Sequence, residues 1–304
     1  MRCTKPINLK PSPSNPEGLE VPCGKCLNCR IAKRSEWTMR MLHELQYWDD
    51  ASFITLTYDE ENLPKNKSLV KKDLQKFIKR LRYTLDTLDK KIKYFACGEY
   101  GNPPKTLPNG YQTIGDRPHY HLIIFGLDKS KLTEKLIKKS WDKGKIDVGE
   151  AEHDSIRYVA QYIDKKWSGD KAKKEYKEKG RESVFRLLSA GIGKQWCLDN
   201  SKQIIDNLEI NIKGVKMAVP RYYINLLEVD VQTDELQELK EERERDKNYK
   251  DKKIGLSYSN KELIEIYKKG DNKKITDIHI RKAKKNIQRD KELKKFTSMR
   301  EGKI

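Results

Sequence analysis

The sequence has no long hydrophobic run. Only 36% of its 304 residues are hydrophobic, and no stretch reaches the roughly 18 apolar residues that a membrane-spanning helix needs. The first residues, Met1 to Pro6, also lack the apolar core of a secretory signal. We therefore expect a soluble cytoplasmic protein with no membrane partner.

A second missing feature is the phosphate-binding loop GxxxxGK[ST]. The pair Gly193-Lys194 lacks both its spacing and its Ser or Thr. The sequence therefore gives no sign that this chain binds ATP through such a loop.

Cysteine is scarce, and in a reducing compartment the six that are present are not expected to form a disulfide framework. Three of them, Cys23, Cys26 and Cys29, form the pattern CxxCxxC, and Cys3 is the upstream candidate for a fourth ligand. Four thiolates would make a tetrahedral structural zinc site. Free thiols and iron–sulfur ligation are the alternatives. The remaining two cysteines are expected to be small buried hydrophobic residues.

Positive charge is in excess. The chain has 65 Lys and Arg against 46 Asp and Glu, a formal net charge of +19. Such an excess favours a polyanionic partner, because neutralised phosphates release their counterions. The alternative is a compositional bias, since the lysines are spread along the whole chain. Nucleic acid is the first candidate partner.

Hydrophobic periodicity predicts an α+β protein. Predicted helices lie at 30–48, 69–88, 130–141 and 154–167, and predicted strands at 53–58, 92–99, 120–126 and 145–148. An irregular segment at 5–22 precedes them. The order β-α-β-β-α-β with an added helix predicts a ferredoxin-like antiparallel sheet with helices on one side, in which the second and third strands form a long hairpin.

Two histidines, His119 and His121, stand two residues apart where a predicted strand begins. Because side chains alternate along a strand, both imidazoles lie on one face and Tyr120 on the other. Hairpin pairing would bring Glu99 towards them. Two imidazoles and one carboxylate with open positions suit Mg²⁺ or Mn²⁺ better than a closed zinc site. The alternative is that both histidines are ordinary polar residues.

Two tyrosines, Tyr158 and Tyr162, are four residues apart in a predicted helix, and Lys165 follows three residues later. All three share one helix face. A phenol is a weak nucleophile at neutral pH because its pKa is about 10. It can nevertheless attack a phosphate that a metal polarises, with a lysine stabilising the charge. The alternative is that both tyrosines are packing residues of an amphipathic helix.

Taken in order, these segments resemble a known family. The strand FITLTY, the metal strand RPHYHLIIFG and the helix YVAQYIDKK are similar to the three motifs of HUH replication initiators, in particular those of gokushovirus-like Microviridae, which are small single-stranded-DNA phages. The PCGKCxxCR-type segment from Pro22 to Arg40, the turn GEYG and the segment GIG also resemble that family. The resemblance covers residues 20 to 200 approximately.

The resemblance implies an endonuclease that nicks single-stranded origin DNA, keeps the 5′ phosphate on a tyrosine and rejoins the strands during rolling-circle replication. A host helicase and a host DNA polymerase would assist it in the bacterial cytoplasm. Related initiators sometimes carry a lysine between the tyrosines, where this chain has Gln161. The residues that the resemblance assigns are the metal ligands His119, His121 and Glu99 and the catalytic residues Tyr158, Tyr162 and Lys165.

The same resemblance divides the chain into four expected regions. They are a Cys-rich segment at 1–36, a HUH endonuclease domain at 37–170, a family-specific extension at 171–230 and a charged helical or disordered tail at 231–304. Two other functions stay open: a relaxase or single-strand transposase of the HUH class, and a non-enzymatic nucleic-acid-binding protein stabilised by zinc. A metal-dependent covalent adduct with DNA would exclude the last of these.

Overall fold

The computed structural model describes residues 3–10, 19–101, 115–162, 172–212 and 214–228. They belong to two units, and the larger is Arg30–Tyr223. In the smaller unit, β1 (Ile7–Leu9) pairs antiparallel with β2 (Leu19–Val21). This ribbon lies where an irregular segment was expected. The side chains of β1 are all exposed, so the ribbon has no alternating apolar pattern that the sequence could reveal.

The larger unit is built on a five-stranded antiparallel sheet. Its spatial order is β6-β3-β5-β4-β7, and the strands are β3 (Ala51–Thr57), β4 (Lys93–Tyr100), β5 (Pro118–Phe125), β6 (Ile146–Glu150) and β7 (Arg186–Leu188). Helix α2 (Lys71–Asp86) joins β3 to β4 across β5, and α3 (Lys131–Ser140) joins β5 to β6 across β3. These are two split βαβ units, so the predicted ferredoxin-like α+β class is confirmed.

Strands β4 and β5 form the long hairpin that the sequence predicted. Lys93 pairs with Phe125 at one end and Tyr100 with Pro118 at the other. Strand β7 comes from the region expected to be an extension, and it pairs with the outer edge of β4. The extension therefore contributes a strand to the sheet.

Helices cover both faces of the sheet. Helices α2 and α3 cover the first face, as expected, through residues that include Leu74, Phe77, Leu81 and Ile137. The second face packs on α1 (Leu27–Leu45) and α4 (His153–Gln161), whose core residues include Met41, Ile156 and Val159. Residues 120–125 of the central strand β5 are all buried, and a strand of this kind needs cover on both faces.

Shorter elements complete the described part of the chain. A 3₁₀ turn lies at Lys65–Lys67 and a π-helical turn at Lys173–Glu178. After β7 come α5 (Lys194–Asp199), α6 (Ser201–Asn207), the hairpin β8 (Glu209–Ile212) and β9 (Val215–Ala218), and α7 (Arg221–Leu226). No helix among the described residues is long and apolar enough to cross a membrane. The predicted tail at 231–304 lies outside the described residues.

Truncating the centre of the sheet should destabilise the larger unit strongly. Leu122 on β5 is completely buried, so Leu122→Ala should lower the free energy of unfolding by about 2–5 kcal/mol. The matched control is Leu132→Ala on α3, since Leu132 is 59% exposed and the change should cost no more than about 0.5 kcal/mol. Urea unfolding measures both, and equal midpoints for the two variants would contradict the described core.

Candidate metal centre and tyrosine helix

Strand β5 presents its two histidines on the sheet face that packs on α4. Ile124 lies in the core beneath α2 and α3, whereas Ile123 lies in the core beneath α1 and α4. His119 and His121 alternate in step with Ile123, so they belong to the second face. Tyr120 lies in the first core, as the sequence predicted.

Glu99 lies directly across from His119 in the neighbouring strand β4. Its Oε2 is 3.3 Å from Nε2 of His119 and 3.7 Å from Nε2 of His121. One ligand atom from each of the three residues lies within 4.8 Å of the other two. The structure therefore brings together the three residues that the sequence singled out as metal ligands.

Hydrogen bonds on the far side of each ring orient the two imidazoles. Nδ1 of His119 is 3.0 Å from the carbonyl oxygen of Arg117. Because a carbonyl only accepts, Nδ1 carries the proton and Nε2 keeps its lone pair. Nδ1 of His121 is 3.1 Å from the hydroxyl of Thr55 on β3. Outer hydrogen bonds of this kind fix the ring orientation of metal-bound histidines.

Three Lewis bases this close together need a cation. Glu99 is 8% exposed and His121 is 5% exposed. Two imidazole lone pairs and a buried carboxylate repel one another unless a proton or a metal ion lies among them. Two neutral nitrogens and one carboxylate oxygen are a donor set that divalent cations accept. The residues present therefore fit a divalent metal.

Helix α4 places both tyrosines beside the histidines. At its start, the backbone N–H of Glu152 donates to the hydroxyl of Ser155 at 2.7 Å, which stabilises the first turn. Tyr158 lies in the helix, and Tyr162 follows its last residue. The sequence predicted a helix to 167, and residues 163–171, including Lys165, lie outside the described residues.

Both phenol rings contact the ring of His121. Tyr162 stacks on it with ring centroids 4.9 Å apart and planes 10° apart, whereas Tyr158 meets it edge-on at 5.4 Å. The two tyrosine rings are 5.1 Å apart. The expected shared helix face is therefore present, and it lies against one of the three candidate ligands.

The two tyrosines differ in exposure. Tyr158 is 40% exposed and Tyr162 only 5%. Burial raises the pKa of the Tyr162 phenol well above its usual value, and the negative charge of Glu99 raises it further. Of the two, Tyr158 is the one that offers its side chain to a ligand arriving from solvent.

The cysteines singled out in the sequence fall into two sets. Cys3, Cys23, Cys26 and Cys29 lie together. Cys97 and Cys197 are buried, 3% and 0% exposed, as small hydrophobic residues are.

Comparison with known proteins shows where this combination occurs. Residues 51–167 match a family model described as a replication-associated protein of the ORF2 type. That range begins at the first residue of β3 and includes both candidate histidines and both tyrosines.

Three phage proteins are similar over most of the chain. The replication-associated protein ORF2 of Spiroplasma virus 4 is 32% identical over 249 residues, which are 74% of this chain and 73% of that protein. VP4 of Bdellovibrio phage phiMH2K, also called a replication-associated protein, is 33% identical over 66% of this chain and 65% of its own length. ORF4 of Chlamydia phage 1 is 28% identical over 68% and 53%.

The chain belongs to this family of phage replication-associated proteins. The resemblance to phage replication proteins that the sequence motifs indicated is confirmed. The matched part of this chain spans just under two thirds of the Bdellovibrio phage protein and about half of the Chlamydia phage protein. No solved structure matches the chain.

The sequence did not identify Phe53 and Thr55 as parts of the centre of this replication-associated protein. Phe53 stacks on His121 with centroids 5.6 Å apart and meets Tyr158 edge-on at 6.0 Å. Thr55 pairs with His121 across the β3–β5 ladder. The available signal was strand alternation in FITLTY, since residues 53, 55 and 57 share a face, but the pairing of β3 with β5 was needed to use it.

The segment GIG, which resembles the family, also has a structural part here. The backbone N–H of Gly193 donates to Glu44 at 2.8 Å, and the Arg40 guanidinium donates to the carbonyl of Ile192 at 3.1 Å. Gly193 has φ +74°, and a Cβ there would lie 2.4 Å from the hydroxyl of Tyr223. The segment therefore joins α1 to the end of the sheet region through contacts that need glycine.

Removing the Thr55 hydroxyl should weaken metal binding. Thr55→Val keeps the shape and the β-branch but deletes the partner of His121 Nδ1, so the dissociation constant for Mn²⁺ should rise by about 10–100-fold. Titration calorimetry measures it. Thr57→Val is the control on the same strand face, because the Thr57 hydroxyl donates to the carbonyl of Lys145. Unchanged Mn²⁺ affinity in Thr55→Val would contradict the orienting role.

Proposed function

We propose that this protein initiates phage DNA replication by nicking single-stranded origin DNA through a tyrosine, in the manner of a HUH endonuclease. The observation that carries the proposal is the contact of both phenol rings with His121, whose Nε2 lies 3.7 Å from Glu99. A metal site that only stabilised the fold would not need two phenols beside it. The names of the relatives support replication as the process.

Glu99, His119 and His121 would hold Mg²⁺ or Mn²⁺. When bound there, the ion supplies Lewis-acid polarisation of the scissile phosphate. The chain determines where that happens: the β4–β5 register sets the carboxylate opposite His119, and the Arg117 carbonyl and the Thr55 hydroxyl orient the rings. Buried surroundings strengthen these interactions, because less water screens them.

Tyr158 makes the first attack, because it is the exposed phenol of the pair. Its oxygen bonds to the phosphorus and its proton passes to solvent. The bond from phosphorus to the 3′ oxygen breaks, and that oxygen leaves as a 3′ hydroxyl after taking up a proton. The phosphodiester is exchanged for a phosphotyrosine, so no nucleotide cofactor is consumed. Lys165 supplies a cation for the phosphate.

Tyr162 makes the second attack, after a host polymerase has extended the 3′ hydroxyl and a host helicase has displaced the strand. Its phenol cuts the regenerated origin in the same way. The 3′ hydroxyl released by this cut attacks the Tyr158 phosphotyrosine, which closes the first strand and frees Tyr158. Because Tyr162 is stacked on His121, its use requires a rearrangement of the rings, and this separates the two cleavages in time.

Replacing each tyrosine by Phe separates the two roles. With a single-stranded origin oligonucleotide and Mn²⁺, Tyr158→Phe should slow formation of the first covalent adduct by about 100-fold or more, since a misplaced nucleophile costs at least that much. Tyr162→Phe should form the first adduct within about 10-fold of the wild-type rate but fail in strand transfer. Denaturing gels of labelled oligonucleotide measure both steps. The control is Tyr83→Phe, at a tyrosine 75% exposed on α2.

The ligand variant separates enzyme from binding module. His119→Ala combined with His121→Ala should abolish the adduct while single-stranded DNA binding persists. An adduct that survives in Tyr158→Phe/Tyr162→Phe would place the nucleophile elsewhere and sink the proposal. A relaxase or transposase would form the same adduct, so amplification of an origin-bearing plasmid in host cells tests replication separately.

Binding of single-stranded DNA should depend strongly on salt. The net charge of +19 predicts many phosphate contacts, so the logarithm of the affinity should fall with the logarithm of salt concentration by roughly 0.7 per phosphate neutralised. Fluorescence anisotropy at several salt concentrations measures the slope. A flat dependence would contradict a binding surface that contacts the phosphates.

A further inference from the structure

The four N-terminal cysteines form a cluster that the nicking reaction does not use. Their sulfur atoms lie within 4.8 Å of one another, and Sγ of Cys3 is 3.7 Å from Sγ of Cys26. A disulfide would need about 2.0 Å, and all four thiols are free. We propose that Cys3, Cys23, Cys26 and Cys29 bind one structural zinc ion.

The distances between the sulfur atoms favour a single ion over an iron–sulfur cluster. Zn–S bonds are about 2.3 Å long, so the edges of a tetrahedral ZnS₄ site are about 3.8 Å. The Cys3–Cys26 distance of 3.7 Å agrees with that edge. A four-iron cluster places iron and sulfide atoms between its thiolates and holds them further apart. The pattern CxxCxxC is compatible with both, and the geometry selects the mononuclear site.

Backbone N–H groups point at two of the sulfur atoms. Sγ of Cys23 accepts from the N–H groups of Lys25 and Cys26 at 3.4 and 3.3 Å. Sγ of Cys3 accepts from the N–H groups of Lys5 and Cys23 at 3.4 and 3.3 Å. Hydrogen bonds of this kind stabilise the charge of thiolates, which is the form that binds metal.

Gly24 makes the turn that aims these groups. Its φ is +69°, a left-handed conformation in which a residue with a Cβ is strained. No heavy atom beyond its chain neighbours lies within 4 Å of the position of such a Cβ. The requirement for glycine is therefore one of backbone conformation, in the short loop between Cys23 and Cys26.

The ribbon between these cysteines has little else to stabilise it. The side chains of Ile7 and Leu9 on β1 are 50% and 49% exposed, and segments this short without an apolar core usually need a metal or disulfides. Cys3 precedes β1, Cys23 and Cys26 follow β2, and Cys29 lies in the first turn of α1. One ion with four protein ligands would close both ends of the ribbon onto α1, and it would leave no position for a substrate.

Metal analysis of the full-length protein tests the proposal. After purification under reducing conditions, plasma mass spectrometry should find one zinc per chain, with no stoichiometric iron. Cys26→Ser and Cys3→Ser should each lose most of this zinc. The control Cys197→Ala, which removes a buried thiol outside the cluster, should retain it. Iron with sulfide, absence of metal, or full zinc retention in Cys3→Ser would each overturn the four-thiolate site.

Alkylation of the wild-type protein provides a readout that needs no variant to fold. Iodoacetamide should leave the four clustered cysteines unmodified until a chelator removes the zinc, and peptide mass spectrometry identifies the modified residues. Immediate alkylation of all four would refute the site. The zinc content of His119→Ala/His121→Ala should equal that of the wild type, so failure here is distinguishable from failure of the nicking proposal.

Discussion

The antiparallel register of three strands is the constraint on which the site depends. It places Thr57, His119 and Glu99 in one row across β3, β5 and β4, and Thr55, His121 and Cys97 in the next row. A shift of one residue would turn either histidine to the other face of the sheet, into the core beneath α2 and α3. The buried apolar residues on both faces of β5 oppose such a shift, because any slip would expose or mispair them. The hydrophobic core and the candidate metal centre are therefore specified by the same pairing.

Electrostatics then explains what the arrangement favours. A carboxylate and two imidazole nitrogens face one another at a buried position, and this repulsion is relieved by a cation. On the same face, α4 brings one exposed and one buried phenol against His121. The two tyrosines look equivalent in the sequence but not in the fold, because only one of them lies at the edge of the core. The proposed division of labour between them follows from that difference in solvent access.

Periodicity was sufficient for the parts of the fold that depend on local pattern. Alternation along β5 predicted that His119 and His121 share a face, and the hairpin predicted the approach of Glu99. Contacts between strands distant in sequence were not predictable: Thr55 reaches His121 only because β3 lies beside β5. The cover of the second sheet face by α1 and α4 and the role of Cys3 beside Cys26 likewise arise from tertiary packing. Lys165 lies outside the described residues and stays a prediction from the motif.

The most direct test of the central claim is to locate the residue that becomes joined to DNA. The wild-type adduct, formed briefly with Mn²⁺ on single-stranded origin DNA, would be digested with protease and nuclease and mapped by tandem mass spectrometry. The account predicts a nucleotide attached through its 5′ phosphate to Tyr158, and no adduct when a chelator replaces the metal. A nucleotide on a residue outside the tyrosine pair, or an adduct that forms without metal, would contradict it.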